Sequence, residues 1–282
     1  MILGIDIGST TTKIVLMDGI KVVEKYRIEN YESYDDILDK MDLSKVTKIM
    51  TVGAGASFIE GDIRGIKTEY VEEFKAVALG GYFLSGLDEC MVVSLGTGTS
   101  FMYVNKDIRE HTGGSGIGGA LLQSLAKYGL GMDDVDAFME LADKGDMNNV
   151  DLLIKDISKE DIGDLVGEAS AANMAKITRD SKPEDYALGV CNLVFQNVGV
   201  MAVIADRTYK TGKVVVMGSI GRSNIARKTF DAVGQLFGCE FITPNDAVYG
   251  VAIGAILLGD DNYTSQFKIY GLDEDDVDSI FE

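Results

Sequence analysis

Short apolar runs that end in polar turns alternate along the chain with longer segments whose apolar positions repeat at a helical period. Residues 2–7 and 13–18 predict the two strands of a hairpin around the turn GSTTT, and a third strand is predicted near 21–28. A second hairpin of the same kind is predicted from strands at 91–94 and 100–104, which the turn LGTGTS joins. The sequence therefore predicts the same strand–turn–strand pattern at two places in the chain.

Amphipathic segments separate these strands. Helices are predicted at 34–41, 72–85, 133–142, 184–208, 223–237 and 247–258, with another after the glycines of 114–130, and further strands at 47–52 and 213–217. Helices between short strands indicate an α/β fold. Because 282 residues exceed one typical core, we predict two domains, 1–92 and 93–259, and an acidic extension at 260–282. No Pro- or Ser-rich linker separates the domains, so the chain should cross between them more than once.

Composition limits the function classes. With 46% hydrophobic and 25% charged residues, the sequence is typical of a globular protein. No apolar run is expected to approach the roughly 20 residues that span a bilayer, so we expect no membrane-spanning helix. We also expect no signal peptide, and hence a cytoplasmic location. The formal net charge of −19 repels nucleic acid and anionic lipid, so neither is an expected partner. An anionic nucleotide would need a site made locally positive by backbone amides, a few lysines and a divalent cation.

Cysteine and histidine suggest little metal chemistry. Cys90, Cys191 and Cys239 show no CxxC spacing, which argues against a disulfide framework and against a zinc site. Each has apolar neighbours, so we interpret all three as small core residues. The single histidine, His111, precedes a glycine-rich loop and is a candidate site residue.

The first candidate for ligand chemistry is the turn of the opening hairpin. Such a turn exposes backbone N–H groups that bind anions, and hydroxyl groups add donors for phosphate oxygens. The candidate nucleotide-binding residues are Asp6, Gly8, Ser9, Thr10, Thr11 and Lys13. Asp6 is also the candidate ligand of a divalent cation, held through water. A plain hairpin turn is the alternative.

Three further glycine-rich segments are candidates for the same nucleotide. The turn of the second hairpin would complete a phosphate clamp, and the loop before the helix at 114–130 lies where helix N–H groups favour an anion. That loop lacks the GK[ST] ending of a Walker A loop. A fourth segment follows the strand at 213–217 and either contacts adenosine or forms an ordinary strand-to-helix turn. The candidates in these segments are Gly96, Thr97, Gly98, Thr99, Gly114, Ser115, Gly116, Gly118, Gly119, Gly218 and Ser219.

The segments DIGSTTTK, SLGTGTS, GGSGIGG and VVVMGS occur in the order found in actin/hexokinase-like kinases. Within that class the chain resembles the type II pantothenate kinases, a Fumble-like family, over about residues 2–259. The resemblance rests on YVEEFKAVALGG, VVSLGTGTSFMYV, TGGSGIGGALLQSL, GEASAANMAKI and NDAVYGVAIGAILLG. It implies a two-lobed actin-like ATPase (ribonuclease H-like) fold with duplicated mixed β-sheet domains around a nucleotide cleft.

The resemblance also implies the chemistry: transfer of the ATP γ-phosphoryl group to the pantothenate hydroxyl, the first step of coenzyme A biosynthesis, with Mg²⁺ and in a homodimer. The family's catalytic glutamate matches Glu73, which becomes the general base toward a primary hydroxyl. Glu72 replaces it if the register slips by one residue. In the alternative interpretation both are solvated acids at a helix start. Asn173 either offers an amide to the substrate or lies on a helix surface.

Two positions depart from the family pattern. Lys75 stands where the family carries an acid, and His111 stands where it carries an arginine that helps to stabilise phosphoryl charge. Histidine is neutral for much of the time at pH 7, so Arg109, two residues earlier, is a candidate to take that role. These departures leave the acceptor open between pantothenate, pantetheine and a relative.

Two other functions stay open. The first is an ATPase that activates a partner enzyme, like the activators of 2-hydroxyacyl-CoA dehydratases, which carry cysteines for an iron–sulfur cluster. The cysteines of this chain lie outside the glycine-rich loops, which disfavours that function. The second is a nucleotide- or CoA-binding regulator that has lost turnover, which Lys75 and His111 favour. A zinc-containing sugar kinase is disfavoured because the chain has no Cys/His cluster.

Overall fold

The computed structural model describes residues 1–29, 33–163, 165–260 and 263. The chain forms two compact units. Unit 1 contains Met1–Val92, Met102–Thr112 and the chain from Val248 onward, and unit 2 contains Val93–Phe101 and Gly113–Ala247. The chain thus passes between the units more than once, as the lack of a linker predicts.

The elements of the described residues are as follows. The strands are β1 (Ile2–Ile7), β2 (Thr11–Asp18), β3 (Lys21–Glu29), β4 (Lys48–Val52), β5 (Thr68–Tyr70), β6 (Glu89–Leu95), β7 (Thr99–Asn105), β8 (Arg109–Ser115), β9 (Leu152–Leu153), β10 (Ser170–Ala172), β11 (Lys213–Met217) and β12 (Glu240–Ile242). The α-helices are α1 (Tyr34–Leu38), α2 (Glu73–Ser85), α3 (Gly119–Leu130), α4 (Val135–Ala142), α5 (Ile154–Ile157), α6 (Pro183–Asp206), α7 (Asn224–Phe237) and α8 (Gly250–Gly259).

The sheet of unit 1 has the strand order β3-β2-β1-β4-β5. β1 pairs antiparallel with β2 and parallel with β4. Successive side chains of a strand point to opposite faces. In β2, Leu16 packs in a cluster with Leu38 of α1, whereas Val15 and Met17 pack in a cluster with Ile253 of α8. Both faces of the sheet are therefore covered, which explains why β1 and β2 are nearly continuous apolar runs.

Helices α2 and α8 cross at direct backbone contact in unit 1. A Cβ added at Gly254 would overlap the carbonyl oxygen of Ala76, and one added at Gly80 would overlap that of Gly250. Only glycine permits such an approach, so the small residues of both helices hold α2 tightly on α8. α8 in turn packs on β1 and β4, and this stack fixes the start of α2 relative to the sheet.

The second sheet repeats the topology of the first. Its order is β12-β11-β6-β7-β8, which equals the order of the first sheet when β6, β7, β8, β11 and β12 stand for β1 to β5. β11 and β12 are parallel, like β4 and β5. The predicted internal duplication is therefore confirmed. The division between the units falls within β6, β7 and β8.

Helix α6 is the core of unit 2 and packs against α3, α4 and α7. Phe195 of α6 meets Phe230 of α7 edge to face at 5.9 Å, and Phe230 stacks on Phe241 at 5.2 Å. Such ring pairs add to the stabilisation that apolar burial provides.

The same helix corrects one expectation from the sequence. Residues 187–205 carry no charge, and α6 has the length and composition of a membrane-spanning helix. Within the protein, 61% of its most apolar window is buried. A buried core helix passes the same test of length and composition, so the expectation that no segment would pass it is wrong.

Two further differences from the predictions concern boundaries. Residues 102–112 and α8 belong to unit 1, whereas the sequence assigned all of 93–259 to one domain. The reason is the packing of α8 on α2 and the first sheet, which no local pattern reveals. Gly113, Gly114 and Ser115 continue β8 and do not form a loop. The predicted acidic extension at 260–282 lies outside the described residues except for Asp260 and Tyr263.

Candidate active site

The turn between β1 and β2 is tight and presents two hydroxyl groups. The Gly8 N–H donates to the Thr11 carbonyl at 3.2 Å, which closes the turn. Ser9 and Thr10 are exposed at its tip, as a phosphate-binding turn requires. Thr11 is buried as the first residue of β2, so its side chain belongs to the core and not to the exposed part of the turn.

Asp6 and Lys13 form an ion pair at the base of this turn. They are partners in the antiparallel register, and Lys13 Nζ lies 3.5 Å from Asp6 Oδ2. Asp6 is only 7% exposed, and burial raises the pKa of its carboxyl although Lys13 opposes the shift. One lysine therefore compensates this buried charge incompletely, and a hard divalent cation with oxygen ligands suits the position.

Glu73 lies at the first position of α2, in the same unit as Asp6 and Lys13. The surrounding protein raises the pKa of the Glu73 carboxyl by desolvation, and the negative charge of Asp6 raises it further. Lys13 opposes both effects. Glu73 is thus electrostatically coupled to the carboxylate and the cation at the base of the β1–β2 turn. A carboxylate with a raised pKa is a stronger base, which suits proton abstraction from an alcohol.

Glu72 has a different environment. It is the N-cap of α2, and its Oε1 accepts a hydrogen bond from the Phe74 N–H at 3.1 Å. Its Oε2 lies 3.9 Å from Lys75 Nζ, in an exposed pair that contributes little to stability. The cap gives Glu72 a structural role, so of the two glutamates Glu73 is the better candidate base.

His111 lies against α2 through an aromatic contact. Its ring stacks on that of Phe74 with centroids 4.2 Å apart and planes 10° from parallel. Phe74 is 39% exposed, so the ring pair lies at the surface of unit 1 directly after Glu73. The structure therefore brings His111 next to the start of α2, where the sequence predicted a site residue.

Arg109 lies at a different place along α2. Burial lowers the pKa of its guanidinium, and the charges of Tyr263 and Tyr82 oppose the shift. Tyr82 follows Glu73 by nine positions, which is about 13 Å along a helix axis. The structure thus groups Arg109 with Tyr82 and Tyr263, and gives no support to its predicted place beside Glu73.

Two of the three predicted glycine-rich segments of unit 2, the β6–β7 turn and the loop before α3, form one structure. The Gly119 N–H donates to the Gly96 carbonyl at 2.8 Å, and the Ala120 N–H donates to the Thr97 carbonyl at 3.0 Å. The buried Thr99 hydroxyl donates to the Ile117 carbonyl at 2.7 Å. The first amides of α3 are therefore already bonded to the β6–β7 turn. This corrects the expectation that they stay free for an anion.

Both of these segments, the β6–β7 turn and the chain before α3, contain exposed residues. Gly96 and Thr97 are exposed, as are Gly114 and Gly116. The Ser115 hydroxyl accepts from the Ile117 N–H at 3.1 Å, so it orders the loop before α3. Gly118 is the N-cap position of α3 and Gly119 its first residue.

The fourth predicted segment follows β11 in unit 2. The Gly218 N–H donates to the Ala247 carbonyl at 3.0 Å, and a short 3₁₀ helix covers Ile220–Arg222 after Ser219. Ser223 then caps α7 by accepting from the Ala226 N–H at 3.2 Å. The segment is a strand-to-helix turn with partly exposed Gly218 and Ser219, so both predicted interpretations remain.

A buried polar cluster in unit 2 includes a residue that the sequence had singled out. Asn173 follows β10 in a turn and not on a helix, so its placement on a helix surface is wrong. Its Nδ2 donates to Gln196 Oε1 at 2.6 Å and to Asp151 Oδ2 at 3.3 Å. Asp151 is fully buried and also accepts from Asn192 Nδ2 at 2.8 Å. No sequence pattern signals this cluster, because its members are far apart in the chain.

The described part of the chain has no large cluster of potential metal ligands. No group of three or more His, Cys, Asp or Glu residues there could hold a metal ion. Magnesium in nucleotide sites is held by one or two carboxylates together with phosphate oxygens and water, so a single Asp6 is consistent with that kind of site.

The chain is similar in sequence to known proteins over most of its length. The sequence model of a family described as Fumble matches residues 31–236. Two proteins named type II pantothenate kinase, from Staphylococcus aureus strains MRSA252 and USA300, are each 28% identical to this chain. The alignments cover 92% of this chain and 100% and 99% of the two relatives, respectively.

Solved structures share the fold at low identity. An activator of 2-hydroxyisocaproyl-CoA dehydratase from Clostridium difficile with bound ADPNP has a TM-score of 0.66 and 17% identity, over 96% of this chain and 98% of that one. A ROK family glucokinase from Streptomyces griseus in complex with glucose and AMPPNP has a TM-score of 0.54 and 13% identity, over 91% and 98%. The predicted fold class, an actin-like α/β fold with two mixed-sheet domains, is confirmed.

Proposed function

Because the chain belongs to the Fumble family, we propose that it is a pantothenate kinase, which transfers the γ-phosphoryl group of ATP to the hydroxyl of pantothenate in the first step of coenzyme A biosynthesis. The full-length similarity to type II pantothenate kinases supports this function. The structural observation that carries it is Glu73, whose carboxyl has a raised pKa and is coupled to the Asp6–Lys13 pair.

Glu73 is the proposed general base. Its carboxylate accepts the proton of the acceptor hydroxyl as the oxygen attacks the γ-phosphorus, and the bond to the ADP oxygen breaks. Phosphoryl transfer depends mainly on positioning and charge neutralisation, so the base needs to lie near the cation and near the phosphate-binding turn. The coupling of Glu73 to Lys13 and Asp6 supports this arrangement.

Each unit has its own residues that are proposed to contact the nucleotide. Unit 1 contributes the exposed hydroxyls of the β1–β2 turn and the charge of Lys13. Unit 2 contributes the β6–β7 turn and the loop before α3 to the phosphates, and the turn after β11 to adenosine. The exposed Thr97 and the partly exposed Ser219 support these roles.

Magnesium is the proposed metal, with Asp6 as the residue that holds it through water. A bound magnesium ion would neutralise part of the phosphate charge. Asp6 fits this role because it is a buried carboxylate whose pKa burial raises, so that an added cation stabilises its ionised form. Lys13, 3.5 Å from the Oδ2 of Asp6, supplies a second positive charge.

The proposed quaternary structure rests on family resemblance alone. We propose a homodimer in the cytoplasm, with a small-molecule acceptor and without nucleic acid or membrane as partners. The net charge of −19 supports the exclusion of anionic polymers and lipid surfaces. Light scattering on the purified protein tests the dimer, and a monomeric mass at micromolar concentration would contradict it.

The experiment that tests the function is release of ADP from Mg·ATP with pantothenate, with pantetheine and with no acceptor. We expect acceptor-dependent turnover that Glu73→Gln lowers by roughly 10²–10⁴-fold, the contribution typical of a general base. Glu72→Gln is the matched control, since it removes a neighbouring carboxylate that caps α2. Turnover should stay within about threefold of the wild type in that variant, because a cap contributes to stability and not to proton transfer.

The acceptor panel also separates the remaining alternatives. A catalytically weak regulator would bind ATP and release no ADP with either acceptor. An activator ATPase would hydrolyse ATP at the same rate with and without an acceptor. The likeness to the dehydratase activator shows the fold only, because identity is 17%. Acceptor-dependent turnover that is equal in Glu73→Gln and the wild type would overturn Glu73 as the base.

A further inference from the structure

The loop after β4 runs directly past the carboxylate of Asp6. β4 pairs in parallel with β1, and Val52, the last residue of β4, is the register partner of Asp6. The next residue, Gly53, therefore passes the end of β1 on the side opposite β2. Its backbone has φ 92° and ψ 168°, a region that is essentially restricted to glycine.

Because Gly53 has no side chain, the Asp6 carboxylate can lie beside it. A Cβ at Gly53 would lie 2.6 Å from the Ile7 carbonyl oxygen and 2.9 Å from Asp6 Oδ1. Both distances are shorter than real Cβ contacts, so one of the atoms would have to move. The Ile7 oxygen is part of the backbone, and Asp6 is buried between two strands, so neither atom moves without disturbing β1.

Asp6 is thus held from two sides. Lys13 of β2 lies 3.5 Å from its Oδ2, and the space beside its Oδ1 is open only because Gly53 has no Cβ. The two oxygens thus have different neighbours, which favours one rotation of the carboxyl plane. A metal-holding carboxylate needs such support, because residues that orient a ligand affect metal affinity almost as much as the ligand itself.

We propose that Gly53 is a positioning residue for Asp6: its backbone, free of a side chain, seats the carboxylate in the orientation that holds the magnesium ion of the bound nucleotide. This inference rests on the proposed function, in which Asp6 holds the metal. Gly53 itself touches neither nucleotide nor acceptor in the proposal and acts only through Asp6.

The chain offers a matched control for the substitution. Gly65, in the same unit, also has a positive φ of 74°, but a Cβ there would have no atom within 4 Å. Gly65→Ala therefore introduces the strain of an alanine at positive φ without any contact. The difference between Gly53→Ala and Gly65→Ala reports the overlap of the added Cβ with the Ile7 carbonyl and with Asp6 Oδ1 together, and Asp6→Asn identifies the part that acts through the carboxylate.

The test is the affinity for ADP with excess Mg²⁺ and with EDTA, measured by calorimetry on the full chain. In the wild type we expect Mg²⁺ to strengthen ADP binding. In Gly53→Ala we expect this strengthening to fall by roughly 10–100-fold, the usual effect of losing a residue that orients a metal ligand. Affinity in EDTA should change less than the strengthening by Mg²⁺ does, because Ser9 and Thr10 at the exposed tip of the β1–β2 turn lie beyond the atoms that the Cβ overlaps. Gly65→Ala should keep the wild-type dependence on Mg²⁺.

Outcomes distinguish this inference from the function on which it rests. If Asp6→Asn removes the Mg²⁺ effect while Gly53→Ala keeps it, Gly53 has no positioning role and the inference fails alone. If the wild type and Asp6→Asn depend equally on Mg²⁺, the proposed metal role of Asp6 fails as well. Loss of ADP binding in Gly53→Ala with and without Mg²⁺ would make Gly53 merely structural.

A variant of the carboxylate itself covers the case in which Gly53→Ala does not fold. Asp6→Glu lengthens the side chain by one methylene, so the carboxylate cannot keep the position that Asp6 has between Lys13 and Gly53. We expect this variant to lose the Mg²⁺ effect as fully as Asp6→Asn. Retention of the effect to within about threefold in Asp6→Glu would show that the seat is not restrictive and would overturn the inference.

Discussion

The β1–β2 turn of unit 1 and the β6–β7 turn of unit 2 share a topology and differ in chemistry. Aligned by their strands, Asp6-Ile7-Gly8-Ser9-Thr10-Thr11 corresponds to Ser94-Leu95-Gly96-Thr97-Gly98-Thr99. Thr11 and Thr99 are both buried, and Gly8 and Gly96 both begin the turn. The charged pair Asp6–Lys13, however, corresponds to Ser94 and Phe101, of which Phe101 is only 2% exposed.

The hydrogen bonds of the two turns differ in the same sense. The unit 1 turn is closed by its own backbone, and its tip is exposed. The unit 2 turn is bonded to the start of α3 through Gly119 and Ala120, and Thr99 adds a third bond to the same segment. One duplicated motif therefore provides a charged, open turn in unit 1 and a neutral, internally braced turn in unit 2. We infer that the first turn supplies charge, and that the second presents its exposed Thr97 on a braced backbone.

The largest expected effect comes from removing the charge that distinguishes the two turns. Asp6→Asn should lower acceptor-dependent turnover by at least roughly 100-fold, because the metal-holding carboxylate is lost. Ser94→Ala, at the corresponding position of unit 2, should keep turnover within about fivefold, since only a neutral hydroxyl is removed. Steady-state kinetics with Mg·ATP measures both. Equal losses in the two variants would break the comparison.

An intermediate effect concerns stability and the bracing of unit 2. Thr99→Val keeps the shape of the side chain and removes the hydroxyl that donates to the Ile117 carbonyl at 2.7 Å. We expect the free energy of unfolding to fall by about 1–2 kcal/mol, since a buried carbonyl loses its donor. Thr99→Ser keeps the hydroxyl and removes the methyl group, so it should cost about 1 kcal/mol or less. Urea unfolding measures both, and a more stable Thr99→Val than Thr99→Ser would contradict the role of the bond.

Much of this architecture could be predicted from local patterns. Apolar strands followed by Gly/Ser/Thr turns identified both hairpins, because a sheet buried on both faces produces continuous apolar runs. The run 187–205 is predicted to be helical, but its uncharged sequence alone does not distinguish a buried core helix from a membrane-spanning helix. The place of α8 in unit 1 could not be predicted, since it depends on Gly80 and Gly254 meeting backbone that is distant in sequence.

The candidate site was predictable in part. The sequence nominated Asp6, Lys13 and the pair Glu72/Glu73, but only geometry separates the cap from the candidate base. Arg109 and His111 are both predicted to stabilise phosphoryl charge. In the structure they lie at different places along α2: His111 stacks on Phe74, and Arg109 is grouped with Tyr82. Gly53 carried no signal, because its importance comes from an atom of Asp6 on the neighbouring strand.

The smallest effect is a shift of the pH dependence, and it tests the electrostatic coupling within unit 1. Glu73 acts as a base only when it is deprotonated, so kcat/KM should fall as the pH drops through its raised pKa. Lys13 lowers the pKa of Glu73 and of Asp6, so Lys13→Met should raise both values and move the acid limb to higher pH. Lys13→Arg keeps the positive charge and should leave the limb within about 0.3 pH units of the wild type.

The informative quantity is the position of the limb and not its height, since loss of Lys13 also weakens phosphate binding. A limb that moves to lower pH in Lys13→Met, or that moves equally in Lys13→Arg, would show that a group outside this cluster controls the acid limb. The charged turn would then differ from its counterpart in unit 2 only in metal and phosphate binding, and not in tuning the base.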